Sequence, residues 1–522
     1  MDNLSDTSST ESVPSSDLCS LSELLRIDGD QDGLHDIIAT PIFSESVRKY
    51  AEDSKQHRLG QEGIFTQYGL LALNISQHGP GATSMTDAAT NRDRRVFFNV
   101  AAPTSMFICG SQGSGKSHTL GTVLENCLVS CTANLLPRPL TGLVFHYDTF
   151  ISDTGGLPCE AAYLSSHSAV KVRVLCPPTN VGEIKRIYSC LPNVLVEELR
   201  IDQSELNTKR MLDLMAVSSI QGGGMPLYLH VVTRVLREMR IRQQQTESPF
   251  DYKAFKLALS GEALTDGQFL PLQQRLETLE SFMVQRQAAP DKSLKSKSKP
   301  RQVESCRMPE KGNDWTPVAG QLTVVDLSCP CVTAEMACSL FNICLSLFLE
   351  KDTRRHLGVR VIISTQEPSI SPKLLDLCSV AVVHRFTSPD WLRSLQRHLA
   401  GISVGQDAAD AHQDRYSTSL ITTGMTGKQN EAFPVSSLSS VEDLFSRIVA
   451  LRTGEAFIFA PSATIGILQG SAALCSGKVS GHYSKVQGAT TNTSFLHLGS
   501  GAIQVRLRRR ITADGGKSVM AT

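Results

Sequence analysis

The residues whose types and spacing point most directly to chemistry are Gly110-Ser-Gln-Gly-Ser-Gly-Lys116-Ser117. Glycines at 110, 113 and 115 open backbone conformations closed to residues with a Cβ, so successive N–H groups can converge on phosphate oxygens. A helix starting near Gly115 would add its positive N-terminal end. Lys116 then reaches the terminal phosphates, and the Ser117 hydroxyl can ligate Mg²⁺. The complete G-x₄-G-K-[ST] spacing predicts a site made of Gly110, Ser111, Gln112, Gly113, Ser114, Gly115, Lys116, Ser117 and His118. Its cofactors would be ATP and Mg²⁺.

Hydrolysis at such a site needs an acid at the end of a neighbouring strand and a polar residue that orients water. Leu322-Thr-Val-Val-Asp326 offers the acid by spacing, with Asp326 as a candidate catalytic and metal residue. Leu327 follows where many ATPases carry a glutamate. Gln366, in Ser364-Thr-Gln-Glu-Pro368, is the second catalytic candidate, because a polar side chain just past a buried strand can sense a terminal phosphate. The plainer reading is that Thr365 and Gln366 only cap the strand.

These residues need elements to hold them. Ser105–Cys109 reads as a buried strand and Ser117–Cys131 as the helix behind the glycine loop. Further strands are predicted at Val96–Val100, Leu143–Tyr147, Val170–Leu175, Gln321–Asp326, Val359–Ser364, Val380–His384 and Glu455–Ala460. Helices are predicted over Ala334–Leu349, from Ser371-Pro372 to Leu377, from Ser388-Pro389 through Leu399, and over Leu444–Leu451 behind a Ser440-x-x-Asp443 capping box. Residues 195–285 look largely helical.

The alternation predicts an α/β fold with a mostly parallel sheet flanked by helices. Its core would come in two parts, 46–194 and 319–465, around a mainly helical insertion at 195–318 that ends in a basic linker at 290–303. Residues 1–45 are polar and Ser-rich and predict a disordered segment. Residues 402–435 read as an exposed loop, and 466–522 as a C-terminal extension with a basic segment.

Lys plus Arg and Asp plus Glu are 51 each, so the chain lacks the global positive field of an indiscriminate nucleic-acid binder. The acidic, Ser/Thr-rich start has no secretory signal, and 14 scattered cysteines read as reduced thiols of an intracellular protein. Cys329, Cys331, Cys338 and Cys344 do not match zinc-ligand spacing. The most apolar stretch, Met336 to Leu349, is too short to span a bilayer and contains Asn342.

Taken together, FICGSQGSGKSHTL, VVDLS before an apolar helix, GVRVIISTQEPSISPKLLDLCSVAVVHRF, TSPDWLRSL and GEAFIFAP resemble the HerA/FtsK-type ATPases. The resemblance runs with gaps from about residue 100 to 465. It implies a RecA-like P-loop NTPase fold, a homo-oligomeric ring, DNA as a partner, and Gln366 as a sensor of the γ-phosphate. In that family a further strand ending Asp-Glu-Ala-His carries the Mg²⁺ aspartate and the catalytic glutamate. Here Lys351–His356 runs straight from the helix toward Gly358, and no such segment intervenes. By that register Asp326 is the aspartate of Asp-Leu-Ser, whereas spacing alone favours it as a metal residue. The chain is then either a natural variant that hydrolyses poorly or a sequence that has lost the segment, and in both cases a strand is missing from mid-sheet.

Ring ATPases donate an arginine to the neighbouring subunit's site. Arg385, Arg393, Arg397, Arg506, Arg508, Arg509 and Arg510 are candidates, each also readable as a solvated surface residue. Arg508–Arg510 and Lys292–Arg301 could meet a phosphate backbone. Three readings follow: an ATPase that moves nucleic acid, a nucleotide-binding pseudo-ATPase acting as switch or scaffold, and a small-metabolite kinase. Nothing marks the arginine lid or acceptor pocket of the last.

Overall fold

The structure is a computed structural model of the 522-residue chain. It describes residues 37–57, 63–76, 94–148, 155–215, 227–284, 287, 311–351, 358–368, 371–396, 441–469 and 493–515. The predicted linker at 290–303, the loop at 402–435, Ser440, Arg397 and most of segment 1–45 lie outside these residues.

The strands are β1 (Ile42–Ser44), β2 (Tyr68–Asn74), β3 (Arg95–Asn99), β4 (Ser105–Cys109), β5 (Asn134–Leu135), β6 (Gly142–His146), β7 (Lys171–Cys176) and β8 (Val194–Glu198). They continue with β9 (Gln321–Asp326), β10 (Val361–Thr365), β11 (Val380–Val383), β12 (Glu455–Phe459), β13 (Thr464–Gln469), β14 (Thr493–His497) and β15 (Ile503–Leu507). The helices are α1 (Glu45–His57), α2 (Lys116–Leu128), α3 (Val181–Tyr188), α4 (Thr208–Met215), α5 (Leu227–Thr246) and α6 (Tyr252–Ser260). After these come α7 (Asp266–Phe282), α8 (Ala334–Lys351), α9 (Pro372–Asp376), α10 (Pro389–Gln396) and α11 (Val441–Val449).

An 11-stranded sheet runs β10-β4-β11-β12-β15-β2-β3-β1-β13-β14, with β5 paired to β2. A second sheet of four strands runs β6-β9-β7-β8. The sequence reading of a mostly parallel sheet holds for the second sheet, where every pairing is parallel. The first is mixed. β4 has parallel neighbours in β10 and β11, but β11–β12, β12–β15, β15–β2 and β2–β3 are antiparallel. Strand direction follows from which segments become neighbours, and an apolar run carries no mark of that.

β4 is an apolar run because it is covered on both faces. Met106, Phe107, Ile108 and Cys109 are all buried, each large side chain contributing about 1.5–3 kcal/mol. Met106 and Ile108 join the core beneath α2, while Phe107 and Cys109 pack with α10 and α11 through Trp391, Leu395, Leu444 and Ile448. The small sheet is sandwiched in the same way. Val172, Val174, Leu322 and Val324 share the core beneath α2, and Leu175 and Val325 face the helices α4 to α8. Among the described residues no helix is long and apolar enough to cross a membrane.

Among the described residues, an edge strand of each sheet lies near the same helix. α2 packs on β4, β10 and β2. At its far end Leu140 N–H donates to the Cys127 carbonyl (2.9 Å), and Leu128 lies against Gly142 and Leu322. The start of β6 therefore lies by the C-terminal end of α2. β10 ends the large sheet and β6 ends the small one. Their residues are only partly covered, with Val361 46% exposed and all of β6 half-buried. The sequence reading expects one sheet with a strand missing, and the sheet here is in two pieces.

Candidate functional site

The glycine-rich loop follows β4 and ends at Gly115, the N-cap of α2. Gly110, Gly113 and Gly115 have φ of +148°, +72° and +114°, the region where only glycine is unstrained. Lys116, Ser117 and His118 begin the helix, where N–H groups have no intrahelical acceptor, while Thr119 N–H reaches the Gly115 carbonyl (3.0 Å). No side chain caps this end and no acidic residue sits in the first turn. The helix end is thus left electropositive.

Hydrogen bonds to Arg385 and Gly454, and others within the loop, fix its shape. Ser111 donates from both its N–H and its hydroxyl to the Arg385 carbonyl, each at 2.9 Å. Ser114 N–H donates to the Ser111 carbonyl (3.2 Å), and Gly454 N–H donates to the Ser114 carbonyl (3.4 Å). Lys116 Nζ folds back to the Ser111 carbonyl (2.8 Å). Burial holds the Lys116 ammonium below the ordinary lysine range. Gln112, Gly113 and Ser117 are exposed along the open side.

The arrangement fits a phosphate group on one further observation. The Ser114 hydroxyl is buried inside the loop and has no hydrogen-bond partner among the described residues, a state that costs roughly 1–3 kcal/mol. An acceptor in the loop would satisfy it.

The other predicted residues are distributed unevenly. Thr365 pairs with Cys109 in register, so exposed Gln366 falls level with Gly110 beside the loop. Its own carbonyl accepts from Trp391 Nε1 (3.2 Å). His118 turns away from the loop, its Nε2 at 2.8 Å from the Arg508 carbonyl and its Nδ1 at 3.0 Å from Asp514.

Asp326 stands in the small sheet at the end of β9, 1% exposed. Its carboxylate accepts from the Tyr188 hydroxyl (2.6 Å) and from Ser328 N–H (3.0 Å). Burial and that carboxylate push the Tyr188 phenol far up. Among the described residues, no hydrogen bond or ion pair joins Asp326 to Lys116 or Ser117.

Of the basic C-terminal residues, Arg508 and Arg510 face inward and Arg506 and Arg509 are exposed. Arg508 and Arg510, with side chains 8% and 1% exposed, pair with Glu125 of α2. Arg506 pairs with Glu455, Arg393 with Asp390, and Arg385 and Arg509 are exposed. Sequence reasoning missed His384, which touches both ends of the loop; a histidine ending an apolar strand carries no signal of that. Compared with protein-family models and with curated proteins, the sequence finds no match.

Proposed function

We propose that this chain is a nucleotide-binding P-loop protein of RecA-like type that holds Mg·ATP on Gly110–His118 and hydrolyses it poorly. In this reading it works as a nucleotide-dependent switch or scaffold. The observation that carries the proposal is the contrast between two parts of the site. The loop has positive-φ glycines, an uncapped helix end and an unpartnered Ser114 hydroxyl. The one acid suggested by spacing, Asp326, is buried and bonded to Tyr188 and Ser328 in a different sheet. Lys116 and the loop N–H groups would take the phosphates and Ser117 would hold Mg²⁺.

A second reading, an ATPase coupled to DNA translocation in a homo-oligomeric ring, draws support from Gln366 beside Gly110. The two separate on one assay: Mg·ATP binding and steady-state phosphate release, with and without DNA, using Lys116→Ala as control. Lys116-dependent binding with background release supports the first reading. Lys116-dependent release stimulated by DNA overturns it in favour of the second. No binding by folded protein removes both.

A further inference from the structure

We propose that His384 is a positioning residue of the glycine loop: its side chain packs against Gly110 through Cβ and against Gly115 through the ring edge, and its imidazole fixes the first turn of α2 through Thr119. The placement is a property of the protein without ligand. Only its consequence for phosphate binding rests on the nucleotide reading above.

His384 extends the β4–β11 ladder by one residue, its N–H donating to the Cys109 carbonyl (2.9 Å). The side chain is fully buried. Nδ1 lies 2.9 Å from the Glu455 carbonyl. A carbonyl only accepts, so Nδ1 carries the proton. Nε2 of the neutral ring is then an acceptor, and the Thr119 hydroxyl at 2.8 Å donates to it. Burial, with smaller contributions from Lys116 and His118, lowers the ring's pKa to about 4, which leaves it neutral beside the lysine.

The side chain also shapes the loop by contact, at Gly110 through its Cβ and at Gly115 through the ring. A Cβ on Gly110 would come within 2.7 Å of His384 Cβ, and one on Gly115 within 3.4 Å of His384 Cε1. Both glycines therefore have a packing reason as well as a backbone one to lack a side chain. Thr119, two residues beyond Ser117 and itself buried, is held by this ring at the point where the loop becomes helix. Through one imidazole the end of β11 and the start of β12 set the pitch of the phosphate cradle.

The test is amide hydrogen exchange across 110–120 in the ligand-free chain for His384→Leu, His384→Gln, Thr119→Val and the Leu/Val double variant. Affinity for Mg²⁺-tripolyphosphate is measured alongside. His384→Leu is expected to raise exchange in that segment about tenfold, leaving the small sheet unchanged. It should weaken tripolyphosphate about tenfold. The Gln amide oxygen can take the Thr119 proton and should restore most of both. The Leu and Val effects should be non-additive, because they break one bond. Unchanged exchange, or additive effects, overturns the proposal. If His384→Leu does not fold, Thr119→Val alone decides by the same exchange reading. If exchange responds but the wild-type chain binds neither Mg·ATP nor tripolyphosphate, the nucleotide reading fails and the positioning role stands.

Discussion

Glu125 and Arg508 form a buried ion pair at 2.7 Å that joins positions 383 apart in the chain. The same carboxylate accepts from Thr512 N–H (2.9 Å), Ile511 N–H (3.0 Å) and the Thr512 hydroxyl (2.6 Å). Burial alone would raise the Glu125 pKa; the Thr512 and Arg508 hydrogen bonds outweigh it and hold the carboxyl below its usual range. The segment after β15 is thereby fastened along α2. Glu125→Ala would take the only carboxylate paired with the buried Arg508 guanidinium among the described residues and the most buried of those beside Arg510. A loss of about 3–5 kcal/mol is expected in urea unfolding. A loss within experimental error would mean that the segment is held by packing alone.

Asp326 is expected to be a structural carboxylate. Asp326→Asn should cost about 1–3 kcal/mol of stability by weakening its bonds to Tyr188 and Ser328. Mg·ATP affinity, measured by calorimetry on the folded variant, should stay within about twofold. Loss of Mg²⁺ dependence with stability intact would return Asp326 to the metal site.

Acid should destabilise the chain through His384. Its folded pKa of about 4 lies below the ordinary histidine value of 6.5, so the unfolded chain binds the extra proton between those values. Stability from this group is complete above pH 6.5, falls as pH drops, and levels off below about 4. At roughly 1.4 kcal/mol per unit the whole effect is about 3 kcal/mol. Thermal melts of wild type and His384→Phe over that window check it, the variant giving the shallower slope. Equal slopes would show that the histidine is protonated or exposed.

The edge strand β10 should promote self-association, since Val361 in it and Val359 just before it are 46% and 49% exposed and no strand among the described residues pairs with its outer side. Val361→Lys is expected to reduce aggregation during sedimentation at equal folded fraction, with a stability change within about 0.5 kcal/mol. Unchanged aggregation would place the sticky surface elsewhere.

Local chemistry made much of the centre legible. The apolar run Ser105–Cys109, the glycine spacing and the Pro-initiated helices at Pro372 and Pro389 each announce themselves within a few residues. β8 was hidden because Val194–Glu198 ends in two glutamates and adjoins a region of helical pattern. β15 was hidden in a tail read by its arginines, although Ile503, Val505 and Leu507 alternate inward. Pairing β15 between β12 and β2 is a fact about distant partners that no window of sequence contains.

The sequence by itself determined the glycine loop, the strand before it and the helix after it, because φ freedom, apolar runs and helix starts are properties of neighbouring residues. Only the tertiary structure decided that the large sheet is mixed, that Asp326 is bonded to Tyr188, that Arg508 and Arg510 face Glu125, and that His384 sits under the loop. Each depends on which side chain meets which across tens or hundreds of residues. Burial then sets the outcome, because a charge or polar atom removed from water takes the partner that packing supplies.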